Sequence, residues 1–373
     1  MVILERRLLR NLDYSLVLAV LAMCFIGFAV VFSATRGGIG QGSPPDALYF
    51  VKRQVTAFVI GTLLVGMILT MDYRLAERAH KVLYFVNVTM LVLVLVMGRR
   101  ISGAQSWFRL GPLALQPSEL AKVAVILTFA RHLAEADDVA SRRGLAMAFL
   151  HVAVPMVLVL LQNDLGTALV FCGITLGMLY VAGARGKDLL AIVGVGALAS
   201  PALFFFVLKD YQRARLLAFL NPYADPTGTG YNVIQSTIAI GSGRFFGKGL
   251  FHGTQARLNF LPAHHTDFIF SVVGEELGFI GAIVVLTLYA FILWRCLQVA
   301  AIAKDAFGRL VATGVASMLL FHILVNIGMT MSLMPVTGIP LPFLSYGGSS
   351  LLANLIAIGF VLDIHMRRQK ILF

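Results

Sequence analysis

Ten stretches of about 20 mostly apolar residues, the length that crosses a bilayer as a helix, follow one another along the chain. They run over 14–34, 51–71, 80–98, 117–134, 145–162, 165–183, 188–208, 268–295, 309–332 and 347–366. Polar residues gather between them. The pattern predicts an all-α polytopic membrane protein with about ten transmembrane helices, read as one domain over residues 1–373. Pro201 falls inside the seventh stretch and predicts a kink there. One connection breaks the rhythm. Residues 209–267 form a loop far longer than the usual links between packed elements. It contains "YNVIQSTIAIGSGRFFGKGLF", apolar enough to pack or to lie at the interface as a short amphipathic helix.

Composition agrees. Charged residues make up 13% of the chain, well below the ~25% of a soluble domain, and the mean hydropathy is +0.86. The net charge of +12 does not point to nucleic acid, because Lys and Arg sit in short clusters between the apolar runs. Placing both termini in the cytoplasm puts 17 of them on the inner side and 6 in the short outer loops. The inner set includes Arg6, Arg7, Arg74, Arg142, Arg295, Arg367 and Lys370. That asymmetry is the positive-inside signature and predicts a multi-pass membrane protein with both termini in the cytoplasm. Its partners are then anionic membrane lipids or a phosphorylated lipid. Cys24, Cys172 and Cys296 lie within apolar runs with no paired spacing, so they read as packing residues. The first run is too long for a cleavable signal core and reads as an uncleaved helix.

The long loop escapes the positive-inside rule, yet it carries Lys209, Arg213, Arg215, Arg244, Lys248 and Arg257 against Asp210, Asp225 and Asp267. A polyanionic ligand at the outer surface would explain the excess. Asp267 begins an apolar helix. It is either an N-cap or a carboxylate placed to accept a proton. Glu275 and Glu276 lie deeper, where carboxylates are costly and are usually paired or functional. Glu119 and Lys122 are three residues apart on one helix face, as a self-neutralising pair or as the wall of a polar cavity. Gln116, Pro117 and Ser118 read as that helix's start. Before it, Trp107 beside Arg109 is an interfacial anchor or a platform for a sugar ring. Asp164 caps a helix at an outer turn. The segment "MPVTGIPLPFLSYGGSSLL" (334–352) predicts a rigid non-helical wall, tolerated at membrane depth only against protein or a water-filled cavity. "GSGRFFGKG" fails the phosphate-loop pattern. His264 and His265, about 100° apart on a helix, make a poor metal pair, so no metal site is expected.

Five pieces together resemble the SEDS family (shape, elongation, division and sporulation) of membrane-embedded peptidoglycan glycosyltransferases. They are "GAQSWFRLGPLALQPSELAK", "QNDLGTALV", "NPYADPTGTGYNVIQSTIAIGSG", "GTQARLNFLPAHHTDFIFSVVGEELGFIGA" and "NIGMTMSLMPVTGIPLPFLSYGGSSLL". The fourth and fifth resemble the elongation branch more than the division branch. Ala263 and His264 depart from the pair common in relatives, while His265, Thr266 and Asp267 match.

The resemblance implies polymerisation of lipid II, a disaccharide-pentapeptide on undecaprenyl pyrophosphate. It also implies a class B penicillin-binding protein and the elongation machinery as partners. The family's essential Asp maps onto Asp267, its polar pair onto Glu119 and Lys122, and its loop Trp onto Trp107. The candidate substrate-binding set adds Arg109, Arg215, Gln235, Arg244, Lys248, Arg257, His265, Thr266, Ser345 and Tyr346. No cofactor is required; a divalent cation on the pyrophosphate is the one left open. The competing functions are a flippase for the same lipid and a scaffold that activates a penicillin-binding protein. A flippase would need charges along a path to both faces, whereas the ionisable residues here concentrate outside.

Overall fold

A computed structural model of the chain describes residues 10–36, 48–101, 104–110, 113–206, 208–258 and 260–368. Arg6, Arg7 and Lys370 lie outside the described residues. Each of the ten predicted stretches is a helix: α1 (Tyr14–Thr35), α2 (Tyr49–Thr70), α4 (His80–Met97), α5 (Pro117–Glu135), α6 (Arg142–Leu161), α7 (Leu165–Val181), α8 (Gly186–Phe206), α12 (Ile269–Ile302), α13 (Ala306–Thr330) and α14 (Gly348–Met366). A short α3 (Arg74–Arg78) precedes α4. Seven of the ten (α1, α2, α4, α6, α12, α13 and α14) are long and apolar enough to cross a membrane by themselves. Of the others, α7 has 17 residues, α5 carries Glu119, Lys122, Arg131 and Glu135, and α8 contains Pro201. The protein is an all-α, multi-pass membrane protein. α13 and α14 are its most enclosed helices; α14 packs along α2, and α13 along α7, α12 and α5.

Two connections hold structure that the apolar pattern does not announce. Between α4 and α5 lies a small antiparallel sheet in the order β1 (Arg99–Ile101), β2 (Ala104–Leu110), β3 (Leu113–Leu115). The long loop holds α9 (Asp210–Leu220), a 3-10 turn at Pro222–Ala224, α10 (Tyr231–Gly243) and α11 (Thr254–Arg257). Of the two placements open for the 231–251 stretch, packing prevails over its helical part, 231–243, while Phe245 and Phe246 after it are exposed. α10 buries Val233, Ser236, Ala239 and Gly243 and lies along α12.

The chain between α10 and α11 lies against α12 where that helix is broken. Gly278 adopts φ 65° and ψ −161° inside that helix, a region open essentially to glycine alone. The break releases backbone groups that lipid could not satisfy, and residues 244–249 replace the lost bonds. Lys248 and Gly249 N–H donate to the carbonyls of Glu275 (3.0 Å) and Glu276 (2.9 Å). Phe279 and Ile280 N–H donate to the carbonyls of Arg244 (2.9 Å) and Phe245 (3.2 Å).

The two buried glutamates fasten the same segment. Glu275 pairs with Lys248 at 2.6 Å and accepts from the Thr254 N–H (2.8 Å) and hydroxyl (2.9 Å). Glu276 accepts from Ser33 on α1 (2.6 Å) and from the Gly253 N–H (3.3 Å). Gly278→Ala would place a Cβ 2.2 Å from the Gly247 nitrogen. It is expected to cost at least about 1–3 kcal/mol from the backbone conformation alone, read as a lowered melting temperature of the purified protein.

Candidate active site

α5 opens with Pro117 as its first residue, whose missing N–H costs nothing there, and with Gln116 as its cap. The α5 start stands beside the α7 start, where Asp164 is the N-cap. Its carboxylate accepts from the Thr167 N–H (3.0 Å) and hydroxyl (2.8 Å), and from Gln116 (3.1 Å) and Ser118 (3.2 Å) on α5. The capping expected of Asp164 is therefore observed, and one carboxylate joins two helix ends. One turn into α5, Lys122 donates to Glu119 Oε1 at 2.9 Å and to His322 Nε2 on α13 at 3.0 Å. His322 Nδ1 faces the Pro340 carbonyl at 3.0 Å. It therefore carries the ring proton, leaving Nε2 as the acceptor. Glu119 Oε2 is buried without a hydrogen-bond partner.

The chain between α13 and α14 is non-helical, as its proline and glycine content predicts. It is tied to the 261–268 turn at three points. Ser345 Oγ donates to the Thr266 carbonyl (2.6 Å) and accepts from the Leu341 N–H (2.8 Å). Tyr346 N–H donates to the His265 carbonyl (2.9 Å). Asn326 Nδ2 bridges the carbonyls of Asp267 (2.9 Å) and Ile339 (2.7 Å). Asp267 is thus held by its backbone from two sides. It is not a helix cap: α12 starts at Ile269 behind Phe268, with no side-chain cap bond.

These ends enclose a cavity of about 640 Å³. Its walls include Asp267, Thr266, Arg215, Glu119, Asp164, Trp107, Tyr346 and Arg53. Asp267 and Arg215 meet at Gly338 (φ +74°), where a Cβ would sit 3.4 Å from Asp267 Oδ2 and 3.9 Å from Arg215 Nη1. Burial pushes the Asp267 carboxyl above the usual aspartate range, opposed by a Thr266 hydrogen bond and by the Arg215 charge. Tyr346 is pushed up by burial, with the Arg53 guanidinium acting against it.

The predicted residues divide by place. Asp267, Thr266, Arg215, Glu119, Trp107 and Tyr346 share the cavity. Lys122 stands directly behind it on Glu119. Ser345 is spent on the backbone bonds above. His265 is wedged between Phe50 (4.6 Å) and Tyr346 (5.7 Å), its pKa pushed down to about 4 by burial and by His264. It reads as a neutral packing residue of the wall. Arg109 is placed by its backbone, opposite Ala114. Arg244, Lys248, Arg257 and Gln235 are not brought to the cavity. Lys248 is bound to Glu275, Arg244 and Arg257 are exposed, and Gln235 is half-buried on α10.

Arg53, Gln116 and Gly338 line the cavity although none was placed in the candidate substrate-binding set; Gln116 was read only as a helix start. For Arg53 a signal was present: a cation in the first turn of an apolar helix, its guanidinium 4.5 Å from the Tyr49 ring.

The chain is similar to known proteins over nearly its full length. It is 38% identical over 361 residues to the peptidoglycan glycosyltransferase MrdB of Escherichia coli, covering 97% of this chain and 95% of the relative. It is 42% identical over 365 residues to the probable peptidoglycan glycosyltransferase FtsW of Trichlorobacter lovleyi, covering 95% and 93%. Among solved structures, it superposes with a TM-score of 0.80 at 38% identity on a chain from a study of how a peptidoglycan synthase complex coordinates polymerization and crosslinking, covering 95% and 97%. It matches the rod shape determining protein RodA of Thermus thermophilus at 0.72 and 34%, covering 96% and 98%. The cell cycle protein model of FtsW, RodA and SpoVE matches residues 14–370. With the polar cavity, the tethered aspartate and the broken α12 on one frame, the chain belongs to the FtsW/RodA/SpoVE (SEDS) family.

Proposed function

We propose that the protein is a peptidoglycan glycosyltransferase of cell elongation. In this reading it polymerises lipid II at the outer face of the cytoplasmic membrane, with both termini inside and a class B penicillin-binding protein crosslinking the product. The observation that carries the chemistry is Asp267: a carboxylate free of capping duty, raised in pKa by burial, opening on a cavity beside an arginine. A base is most effective when its pKa approaches the working pH. Asp267 takes the proton from the acceptor sugar hydroxyl. That oxygen attacks the anomeric carbon of the donor glycan, and the bond from that carbon to the pyrophosphate oxygen breaks. Undecaprenyl pyrophosphate leaves with the electron pair. Its charge is held by Arg215 and Arg53, the cations that line the cavity among the described residues. Trp107 offers its ring to a sugar, and Glu119 Oε2 awaits a donor. The leaving group arrives on the substrate, so no nucleotide is consumed.

Purified protein given labelled lipid II without ATP is expected to form glycan polymer. Lipid movement between leaflets without polymer would establish a flippase instead, and neither would leave a scaffold. Within the cations, Arg215→Ala is expected to weaken lipid II binding by about 1.5–3 kcal/mol, the loss of one charge-assisted contact. Arg257→Ala, exposed and away from the cavity, is expected to leave it unchanged. Equal apparent affinities for the two variants would remove Arg215 from the pyrophosphate site.

A further inference from the structure

A second recess, of about 270 Å³, opens at the other end of the bundle between α12 and α14. It lies roughly 40 Å from Asp267 along α12 at 1.5 Å per residue. Arg295, Gln298, Ala301, Ile302, His365 and Arg368 line it.

Its charges do not cancel. Arg295 is fully engaged: Nε and Nη2 donate to Asp13 Oδ2 at 2.9 and 2.6 Å, and Nη1 donates to Gln298 at 2.6 Å. His365 is neutral by geometry. Its Nδ1 faces the Asn11 carbonyl at 3.0 Å and so carries the proton, while Nε2 accepts from the Arg368 guanidinium. Among the described residues Arg368 has no carboxylate partner; the neighbouring Arg367 takes Asp363 at 2.7 Å. Asp13 therefore offsets Arg295, and one positive charge is left over. It sits half-buried next to the apolar side chains of Ala301 and Ile302. Next to Arg295 in the chain, Trp294 is half-exposed with its ring 5.7 Å from the Arg295 guanidinium, as aromatic side chains are at a membrane interface.

We propose that this recess binds the phosphodiester headgroup of an anionic phospholipid, with Arg368 as its charge contact. A phosphodiester carries one negative charge and matches the single surplus cation. The guanidinium fork can hold two of its oxygens, and Ala301 and Ile302 provide an apolar lip beside it. Inorganic phosphate has the same anionic oxygens but no use for that apolar lip, so the lipid is the ligand the recess fits. Basic pockets between membrane helices take such headgroups.

The test titrates phosphatidylglycerol or phosphatidylcholine onto the detergent-purified protein. Bound lipid is counted by native mass spectrometry and melting temperature is followed in parallel. Phosphatidylglycerol is expected to be retained about fivefold more tightly than phosphatidylcholine, the equivalent of one arginine near a charged membrane surface. Arg368→Gln is expected to lose this preference and Arg368→Lys to keep most of it. Ile302→Glu, at a position 45% exposed, puts a carboxylate on the lip and is expected to lose it too, through a change independent of Arg368. The proposal is overturned if phosphatidylcholine binds as tightly, or if Arg368→Gln and Ile302→Glu both retain the preference. It is equally overturned if millimolar inorganic phosphate alone reproduces the melting shift, which would mark a free-anion site.

Discussion

Asp267→Asn abolishes glycan polymerisation while the protein keeps, or gains, thermal stability at neutral pH. The first half follows from the role. Loss of a positioned general base costs about 10²–10⁴-fold in rate, and Asn cannot take a proton. The second half follows from linkage. Burial holds the folded carboxyl above its ordinary value of 3.8, so between that value and the raised one the folded state binds more protons than the unfolded. Stability must fall as pH rises through that window. Above it, the ionised Asp267 is a standing cost that a neutral isostere removes. The Asp267 backbone N–H and carbonyl, which anchor the turn, are unaffected by the change. Polymerisation of labelled lipid II and a melting curve for both proteins test the two halves. The rate should also decline as pH falls through the raised pKa, because only the ionised form accepts a proton. Near-normal polymerisation by the Asn variant would end the mechanism. A large loss of stability at neutral pH would instead give Asp267 a structural role.

The Glu119–Lys122 pair is expected to be the most sensitive stabilising contact in the bundle. Both side chains are buried, at 5% and 2% exposure, with 2.9 Å between the charges. Removing one partner of such a pair costs about 3–5 kcal/mol, because the other charge is left in a low-dielectric site. The structure orders the two losses. Glu119→Ala strands the ammonium of Lys122, away from the cavity, with only His322 Nε2 to receive it. Lys122→Ala leaves a carboxylate at the cavity wall, where water can reach it. Glu119→Ala should therefore lower the melting temperature more. The double change Glu119→Gln with Lys122→Met carries no orphan charge and should recover stability. It should stay inactive, since Glu119, which lines the cavity, no longer carries a charge there. Recovery of both stability and polymerisation would make the pair purely structural. Single variants that remain stable yet inactive would overturn the electrostatic argument.

The apolar pattern made the helices legible. All ten stretches are helical, nine of them with ends within three residues of the predicted ones. The exception, α12, ends at Ile302 rather than 295, because Arg295 pairs with Asp13 and the helix continues past it. Local signals also carried Pro117 as a helix start, Asp164 as a cap and the non-helical chain from 334 on, although the last five residues of that 334–352 segment already belong to α14.

What could not be read depends on partners distant in sequence. His322 looks like any polar residue in α13 until Lys122 meets it from 200 residues away. Glu275 and Glu276 were legible as costly, but their partners in the 248–254 chain were not. Lys248 and Arg244 looked like ligand cations because loop charge was visible and loop path was not. The β1–β3 strands are short and weakly patterned, and pairing alone defines them.

The break in α12 also constrains how the protein is made. The groups that complete it, residues 244–253, precede α12 in the chain and so leave the ribosome first. Until α12 is synthesised, Lys248 has no Glu275 to meet and the backbone of 244–249 has no acceptors at membrane depth. That segment must then wait in a wet environment, at the bilayer surface or beside the insertion machinery. Its descent and the placement of α12 become a single late event. Truncations ending before residue 275 should leave the 244–253 stretch open to water-borne thiol reagents at introduced cysteines, and chains extended beyond residue 302 should close it.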